Sequence, residues 1–361
     1  HGTSTPIYAS GTGSAINITG ATTVNISDGI LMTGAVTDYT AVTGTLTKYN
    51  GMQNVTVNLT GDDVVLSSND GFTTHWTGGA IGNIIQRDMK VGAFNDNGHS
   101  YKIFYINGQF FIDADVDLGN TSDAFNNIGL EREIVTISPG IIVKSTTGTG
   151  LTIGSNSGAM SNSQTKYNNQ GDVNIIGGST TGTAALNISY GTIENNGKIT
   201  LDNGVGIYGV NGSKLVNNTT VDITSNGVGM AAFASAQNLQ NYGTDAKILT
   251  ATLTSTDKVL EIENNGILTV NGNSSVGLYG EINDIAGTNI LTSSNGSITN
   301  NSKIIMTGDN SVGILSKRAI VNLGGTGSSD IITGTEGIGV YAENSTVNII
   351  SNTGIEIKDK G

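Results

Sequence analysis

Residues 262–270 read IENNGILTV, and this nine-residue pattern returns along the chain. In every copy an Asn pair separates two short stretches in which apolar and polar residues alternate. A second element, Val-Gly followed by an apolar residue, comes about ten residues later, as VGLY does at 276–279. Such recurrence predicts a stacked fold in which each repeat packs on its neighbours. The other copies are IENNGKITL at 193–201, LVNNTTVDI at 215–223 and ITNNSKIIM at 298–306.

The spacing of the Asn pairs sets the length of the repeat. Asn195 and Asn217 are 22 residues apart (217 − 195). The step to Asn264 is 47 residues (264 − 217), which predicts two units with a degenerate copy, LQNYG, at 239–243. The following step is 36 residues (300 − 264), which predicts a surface loop near 281–294. A unit of roughly two dozen residues with two or three short strands is typical of one coil of a parallel β-helix.

The alternation predicts strands with one buried face, since successive side chains of a strand point to opposite sides. It occurs in VNI at 173–175, LTV at 268–270 and VNI at 347–349. The 52 Gly and the many Asn fall largely between strands, where sharp turns and left-handed backbone angles suit them. The sequence therefore predicts an all-β chain, a right-handed parallel β-helix with an aromatic-rich β-hairpin insert.

Stacking explains why the Asn pair recurs. Equivalent residues of successive coils lie about 4.8 Å apart, directly over one another. An inward Asn can then hydrogen-bond to its copies above and below and form a ladder. The predicted ladder residues are Asn195, Asn217, Asn264 and Asn300.

Residues 67–130 depart from the repeat. They hold six of the seven Phe, the only Trp and two of the three His. Within them, YKIFYI at 101–106 and QFFIDA at 109–114 flank Asn107-Gly108, a pair that suits the two positive φ angles of a type I′ hairpin. Three parts are predicted: N-terminal coils at 1–66, an aromatic-rich insert or cap at 67–130, and a repetitive β-helix at 131–361.

The aromatic segment has two interpretations. In the first it caps the end of the helix with a small core of its own. In the second its exposed rings contact a partner, since aromatic side chains anchor many interfaces. The second interpretation gives four candidate receptor-binding residues: Trp76, His75, Tyr101 and Tyr105.

Composition argues against several classes of function. A net charge of −13 disfavours nucleic acid, whose phosphates need clusters of Lys and Arg. Without Cys there are no disulfides, thiolate metal sites or Cys nucleophile. The chain has no Gly-x-Ser-x-Gly elbow. We therefore expect no catalytic residues, no cofactor and no enzymatic activity.

Two weaker patterns leave alternatives open. DADVDLG at 113–119 resembles the start of a calcium loop, but its Gly comes one place late and Ala124 stands where the loop needs Glu. A solvated acidic face competes with calcium there, and no metal site is predicted. Polysaccharide-degrading β-helices cluster Asp, Lys or Arg on one face, whereas Asp202, Asp222 and Asp309 follow the repeat, which favours stacking or solvation.

The motifs NNGILT at 264–269, SVGLYG at 275–280 and NSVGI at 310–314 resemble the passenger domain of a type V autotransporter, in particular the large outer-membrane adhesins of fusobacteria. The resemblance covers residues 165–361 well and 1–66 more weakly. It implies a signal peptide and a C-terminal membrane β-barrel, neither of which lies in these 361 residues. The serine-protease relatives carry Gly-Asp-Ser-Gly, which this chain lacks, so the family offers no catalytic residues to transfer.

The resemblance implies a monomeric rod at the cell surface, anchored to the outer membrane. It also implies attachment to host cells or other bacteria, and coaggregation, through a glycan or protein receptor. Because only KDKG at 358–361 follows the strand IEI at 355–357, and natural proteins avoid exposed strand edges, we expect a fragment of a longer array. The alternative functions are a purely structural stalk and a β-helical polysaccharide-degrading enzyme.

Overall fold

The computed structural model describes part of the chain, and the regular structure of the described residues is β-strand apart from 3₁₀ geometry at Asn54 and a short 3₁₀ turn at Ser293–Asn295. The chain divides into two compact units, His1–Asp115 and Val116–Gly361. The described residues are 7–8, 15–26, 30–33, 48–50, 54–60, 65–68, 93–96, 103–106, 109–112, 115–117, 134–145, 151–153, 166–175, 183–189, 191–210, 212–235, 258–283, 291–325, 327–350 and 352–358.

The first unit is built mainly from parallel strands. Eight of its described strands pair in parallel, in the orders β1-β4-β7, β2-β5 and β3-β6-β8. These strands and the two that follow are β1 (Ile7–Tyr8), β2 (Ala15–Asn17), β3 (Thr22–Ile26), β4 (Ile30–Thr33), β5 (Lys48–Asn50), β6 (Val55–Leu59), β7 (Val65–Ser68), β8 (Ala93–Asp96), β9 (Ile103–Ile106) and β10 (Gln109–Ile112).

Alternation fixes the register in this unit. TTVNI in β3 and VTVNL in β6 lie side by side, so Val24 pairs with Val57 and both side chains are buried. Strand β8 lies within the segment expected to be an insert, yet it pairs in parallel with β6. Parallel stacking therefore continues into that segment, because Ala93–Asp96 keeps the register of the strands before it.

The predicted hairpin is confirmed. Strands β9 and β10 pair antiparallel, with Ile106 opposite Gln109 and Ile103 opposite Ile112. Ile112 is fully buried. The turn residues, Asn107 and Gly108, lie outside the described residues.

The second unit contains the repetitive part of the sequence, and consecutive strands pass in turn through three parallel sheets. Its strands are β11 (Val116–Asp117), β12 (Ile134–Ile137), β13 (Ile142–Ser145), β14 (Leu151–Ile153), β15 (Lys166–Asn169), β16 (Asp172–Ile175), β17 (Ala184–Ser189), β18 (Thr192–Asn195), β19 (Ile199–Leu201), β20 (Gly204–Val210), β21 (Ser213–Asn217), β22 (Val221–Ile223), β23 (Gly227–Ser235), β24 (Leu260–Asn264), β25 (Leu268–Val270), β26 (Val276–Asn283), β27 (Gly296–Asn300), β28 (Lys303–Met306), β29 (Val312–Lys317), β30 (Ile320–Leu323), β31 (Ser329–Thr333), β32 (Ile338–Glu343), β33 (Thr346–Ile349) and β34 (Thr353–Ile357).

Each coil contributes one strand to each sheet. Within this unit the strand order of the first sheet is β12-β15-β18-β21-β24-β27-β30-β33, that of the second is β11-β13-β16-β19-β22-β25-β28-β31-β34, and that of the third is β14-β17-β20-β23-β26-β29-β32. Neighbouring strands in these sheets are parallel and pair repeat with repeat. This is the all-β, stacked arrangement of a parallel β-helix that the sequence predicts.

The core consists of aliphatic columns, one residue from every coil. In the coil formed by β21, β22 and β23, the side chains of Leu215, Val221, Ile223 and Met230 are fully buried. Burying each contributes roughly 1.5–3 kcal/mol. The column that contains Leu215 continues through the buried Ile193, Ile262, Ile298 and Val321.

Each of the two long steps between repeats is a single coil with extra residues. Strand β21 pairs directly with β24, so the extra coil predicted at 239–243 is wrong and the 47-residue step is a single coil. A coil there would separate Asn217 from Asn264, whose side chains are hydrogen-bonded. The 36-residue step is also one coil, and its extra residues follow β26, whose strand includes Glu281. In both steps the extra residues come between a strand of the third sheet and the next strand of the first.

Candidate functional site

The first Asn of each pair forms a buried ladder on the first sheet. The chain of donors includes all four predicted residues, Asn195, Asn217, Asn264 and Asn300, and begins one coil earlier at Asn169. The first four side-chain amides each donate to the amide oxygen of the Asn in the next coil, over distances of 2.6, 2.8, 2.9 and 2.8 Å. All five side chains are fully buried. These bonds satisfy polar groups that would otherwise be costly to bury.

The two ends of this ladder differ. At one end the Nδ2 of Asn300 donates to Ser329 Oγ at 2.7 Å, so the last donor is satisfied. At the other end Ile137 pairs with Asn169, and the Oδ1 of Asn169 has no hydrogen-bond partner among the described residues. The ladder therefore has a closed end and an open end, because every bond points in the same direction.

The second Asn of each pair forms another ladder, at the turn. Here each amide donates to the coil before it, the reverse of the buried ladder. Asn196, Asn218, Asn265 and Asn301 donate in this way over 3.1, 2.9, 3.0 and 2.8 Å, beginning at the acceptor Asn168. The side chains of the two earlier donors, Asn196 and Asn218, are exposed. Two ladders, whose hydrogen bonds point in opposite directions along the stack, thus stabilise the turn between the first and second sheets.

The Val-Gly element has a steric cause. Gly277 lies inward in β26, and a Cβ added there would lie 2.7 Å from Ile304 Cγ2 and also strike the carbonyl of Gly313. A Cβ added at Gly206 or Gly339 would also clash with a side chain of the second sheet. The glycine column lets the third sheet approach the second closely. None of these glycines has a positive φ, so the expectation that Gly mainly serves left-handed turns does not hold for this motif.

The outer face of the third sheet differs from the other outer faces. Across β20, β23, β26, β29 and β32 it carries two columns of mainly apolar side chains, which we name the tyrosine face. The outer face of the second sheet is mixed instead: Thr200, Asp222 and Thr269 lie in one column, which continues as Ile305 and Ile332. The tyrosine face consists of Val205, Val228, Val276, Val312 and Ile338 in one column and Tyr208, Ala231, Tyr279, Leu315 and Tyr341 in the other.

Most side chains of the tyrosine face are partly exposed. Tyr208 and Tyr279 are half-buried, Tyr341 is 44% exposed, and only Ala231 is buried. Apolar surface of this extent, aligned over five coils, is typical of a contact surface when polar residues border it. Burial raises the pKa of the Tyr208 hydroxyl above its ordinary value.

Charged residues border the tyrosine face on one side. The adjoining column begins with Val210 and Phe233 and then continues as Glu281, Lys317 and Glu343. The Nζ of Lys317 lies 3.6 Å from a carboxylate oxygen of Glu281. The border is therefore apolar over the first two coils and charged over the next three.

The other border is a turn with left-handed backbone. It precedes the third-sheet strands, and Ser274, Asn310 and Glu336 occupy equivalent places in it, with φ of 54°, 55° and 57°. Asn is common in this conformation, whereas Ser and Glu are not. The sequence pattern of Gly and Asn therefore missed two of these three positions.

The predicted receptor-binding residues lie almost entirely outside the described part of the chain. Trp76, His75 and Tyr101 are not described. The backbone of Tyr105 lies in β9 opposite Phe110, and its side chain is not described. Their role stays a prediction. The tyrosine face was missed as a site because its residues also form the repeat, although a Tyr was visible after Val-Gly-Ile or Val-Gly-Leu in two copies and after Ile-Gly-Val in a third.

The described ranges lack two further signals of function, a metal-ligand cluster and a membrane-spanning helix. No group of three or more His, Cys, Asp or Glu there could hold a metal ion. Of the possible calcium segment, Asp113 lies outside those ranges and Asp115 is exposed. The described part also has no helix that is long and apolar enough to span a membrane.

Known proteins give no further guide. Comparisons of this chain with family models, with curated proteins and with solved structures found no match.

Proposed function

We propose that this chain is an adhesive segment of a cell-surface rod, of the kind that its resemblance to autotransporter passengers implies. The tyrosine face carries the proposal, because it is a continuous apolar surface on an otherwise mainly polar stack. The chain acts as a monomer, anchored to the outer membrane through other parts of a longer protein. Its partner is a glycan or protein receptor on host cells or other bacteria, and it needs no cofactor and has no catalytic role.

Rigid display supports this function. Stacked coils share every backbone hydrogen bond of a sheet with the coils above and below. The two Asn ladders add side-chain bonds along the same axis. A surface fixed in this way loses little conformational entropy on binding, which favours affinity. The net charge of −13 favours solubility of the chain and disfavours nucleic acid as a partner.

Binding of the purified chain to host cells and to bacterial cells tests the proposal. The variant Tyr279→Ala removes a ring from the middle of the tyrosine face, and we expect roughly tenfold less bound chain, about 1.4 kcal/mol. Thr269→Ala is the matched control, because Thr269 belongs to the same coil but lies on the outer face of the second sheet. It should bind as the unchanged chain does.

A third variant, Trp76→Ala, tests the predicted site in residues 67–130. Loss of binding in Trp76→Ala with unchanged binding in Tyr279→Ala would move the contact surface to that segment. If the unchanged chain binds no cell type, the adhesive function is refuted for this segment and the structural stalk is the better explanation.

A further inference from the structure

The tyrosines of the tyrosine face occupy alternate coils. Tyr208, Tyr279 and Tyr341 share one column, and the coils between them place the smaller Ala231 and the aliphatic Leu315 there. Adjacent parallel strands are about 4.8 Å apart, so the rings recur at roughly 9.6 Å along the stack. This spacing is a property of the tertiary structure, since the three tyrosines are separated by unequal lengths of chain.

A ligand that lies along this column must therefore repeat over two coils. In an extended β-linked glycan each pyranose ring is about as long as one coil is high, and alternate rings present the same face. Such a chain would place a C–H face on each tyrosine in turn. A folded protein partner has no such repeat and would need a large complementary surface instead.

The chemistry around the column also fits a sugar chain. The adjoining valine column offers an apolar floor, while Glu281, Lys317 and Glu343 offer acceptors and donors for hydroxyl groups along one border. Two of these three border groups are carboxylates, which repel sulfate, phosphate and uronate. The border therefore complements an uncharged ligand that carries many hydroxyl donors.

We propose that the tyrosine face binds an extended, neutral, β-linked linear glycan that lies along the axis of the stack, one tyrosine for every two sugar rings. This inference rests on the proposed adhesive function and specifies its ligand class. The residues that contact the sugar faces are Tyr208, Tyr279 and Tyr341, and the binding site spans five coils.

The test measures the affinity of the full chain for soluble cello- and chito-oligosaccharides of two, four and six rings. Affinity should rise with each added pair of rings, because each pair reaches another tyrosine. Tyr279→Ala should weaken hexasaccharide binding about tenfold and remove most of the gain with length. Tyr279→Phe, which keeps the ring, should stay close to the unchanged chain, as should Thr269→Ala.

The outcomes separate this inference from the adhesive function. If Tyr279→Ala loses cell binding but no oligosaccharide binds, and protease treatment of the partner cells abolishes adhesion, the ligand is a protein and the glycan inference is overturned. A preference for a sulfated polymer over the neutral series would also overturn it. If the chain binds neither cells nor oligosaccharides, both proposals fail.

Discussion

At the residue scale, the Asn pair performs two tasks with one side chain each. The first Asn is buried and donates towards later coils, whereas the second donates towards earlier coils. The amide dipoles of the two columns therefore point in opposite directions and partly offset each other. The pair Asn217 and Asn218 illustrates the difference, since the first is fully buried and the second is exposed.

The direction of the buried ladder predicts that the loss of stability on replacing an Asn depends on the place of that Asn in the ladder. Asn217→Leu leaves the Nδ2 of Asn195 and the Oδ1 of Asn264 without partners, so we expect the free energy of unfolding to fall by about 2–5 kcal/mol. Asn169→Leu removes the Oδ1 of Asn169, which already has no hydrogen-bond partner, and leaves the Oδ1 of Asn195 without one. The number of unpaired buried oxygens therefore stays the same. Its cost should be below about 1 kcal/mol. Urea unfolding of the two variants measures both values.

Equal losses in these two variants would contradict the directional ladder. Asn218→Ala is a useful further comparison, because it interrupts only the exposed ladder next to the same site. Its effect should remain near that of an ordinary surface change, within about 1 kcal/mol.

Tyr208 predicts a dependence of stability on alkaline pH. Burial raises the folded-state pKa of its hydroxyl above 10.0, while in the unfolded chain it titrates normally. Above the ordinary pKa the unfolded state loses this proton first, so the unfolded state is favoured. The contribution is fully present below pH of about 10 and is lost as pH rises through the folded-state pKa.

The variant Tyr208→Phe isolates this contribution. Thermal unfolding at a series of alkaline pH values should show a shallower loss of stability in the variant than in the unchanged chain. Identical slopes would mean that the hydroxyl of Tyr208 titrates equally in both states, against the burial argument.

At the element scale, the in–out alternation of the third-sheet strands is interrupted where a glycine and the next residue both face inward. In β26 these are Gly277 and Leu278, and both are buried between the outward Val276 and Tyr279. The missing Cβ lets the strand lie against Ile304 of the second sheet. The same local geometry turns Val276 and Tyr279 outward and so creates the tyrosine face.

Gly277→Ala should therefore destabilise the coil. Its Cβ would lie 2.7 Å from Ile304 Cγ2 and would strike a backbone carbonyl that cannot rotate away. We expect a loss of roughly 1–3 kcal/mol, the usual cost of overpacking. Gly20→Ala is the control, since no atom lies within 4 Å of the added Cβ. Calorimetry of both variants measures the difference, and a stable Gly277→Ala chain would refute the close-approach argument.

At the scale of the whole molecule, stability comes from neighbouring coils and so varies along the stack. Interior coils are covered on both sides, whereas the last described coil exposes apolar residues that are buried elsewhere. Ile349 is 68% exposed and Ile355 is 48% exposed, although each continues a column that is buried one coil earlier. In a chain of these 361 residues that coil packs on one neighbouring coil only.

Hydrogen exchange should follow this gradient. We expect amides of β18 to β28 to exchange slowest and those of β33 and β34 fastest, with opening free energies that differ by several kcal/mol. Mass spectrometry of peptides from the second unit measures this order. Uniform protection across all coils would show that the unit opens in one cooperative step instead.

The architecture could be predicted from the sequence, because the residues that produce it lie close together and recur in every repeat. Alternation in residues such as Val221 to Ile223 fixes strand and buried face, and the Asn pair fixes where successive coils stack. The hairpin at β9 and β10 was equally predictable, since Asn-Gly sets its turn. The extra coil at 239–243 was predicted wrongly, because a short Asn-containing segment resembles a repeat whether or not it pairs with one.

By itself the sequence determined that the chain is all-β, stacked, and held by Asn195, Asn217, Asn264 and Asn300, because each of these features depends on residues near one another in the repeat. Only the tertiary structure decided which coils are neighbours, which direction each ladder runs, and that Tyr208, Tyr279 and Tyr341 share one outer column. Those features depend on which strands pair between coils that are separated by unequal numbers of residues. The number of residues between two strands does not determine whether they pair.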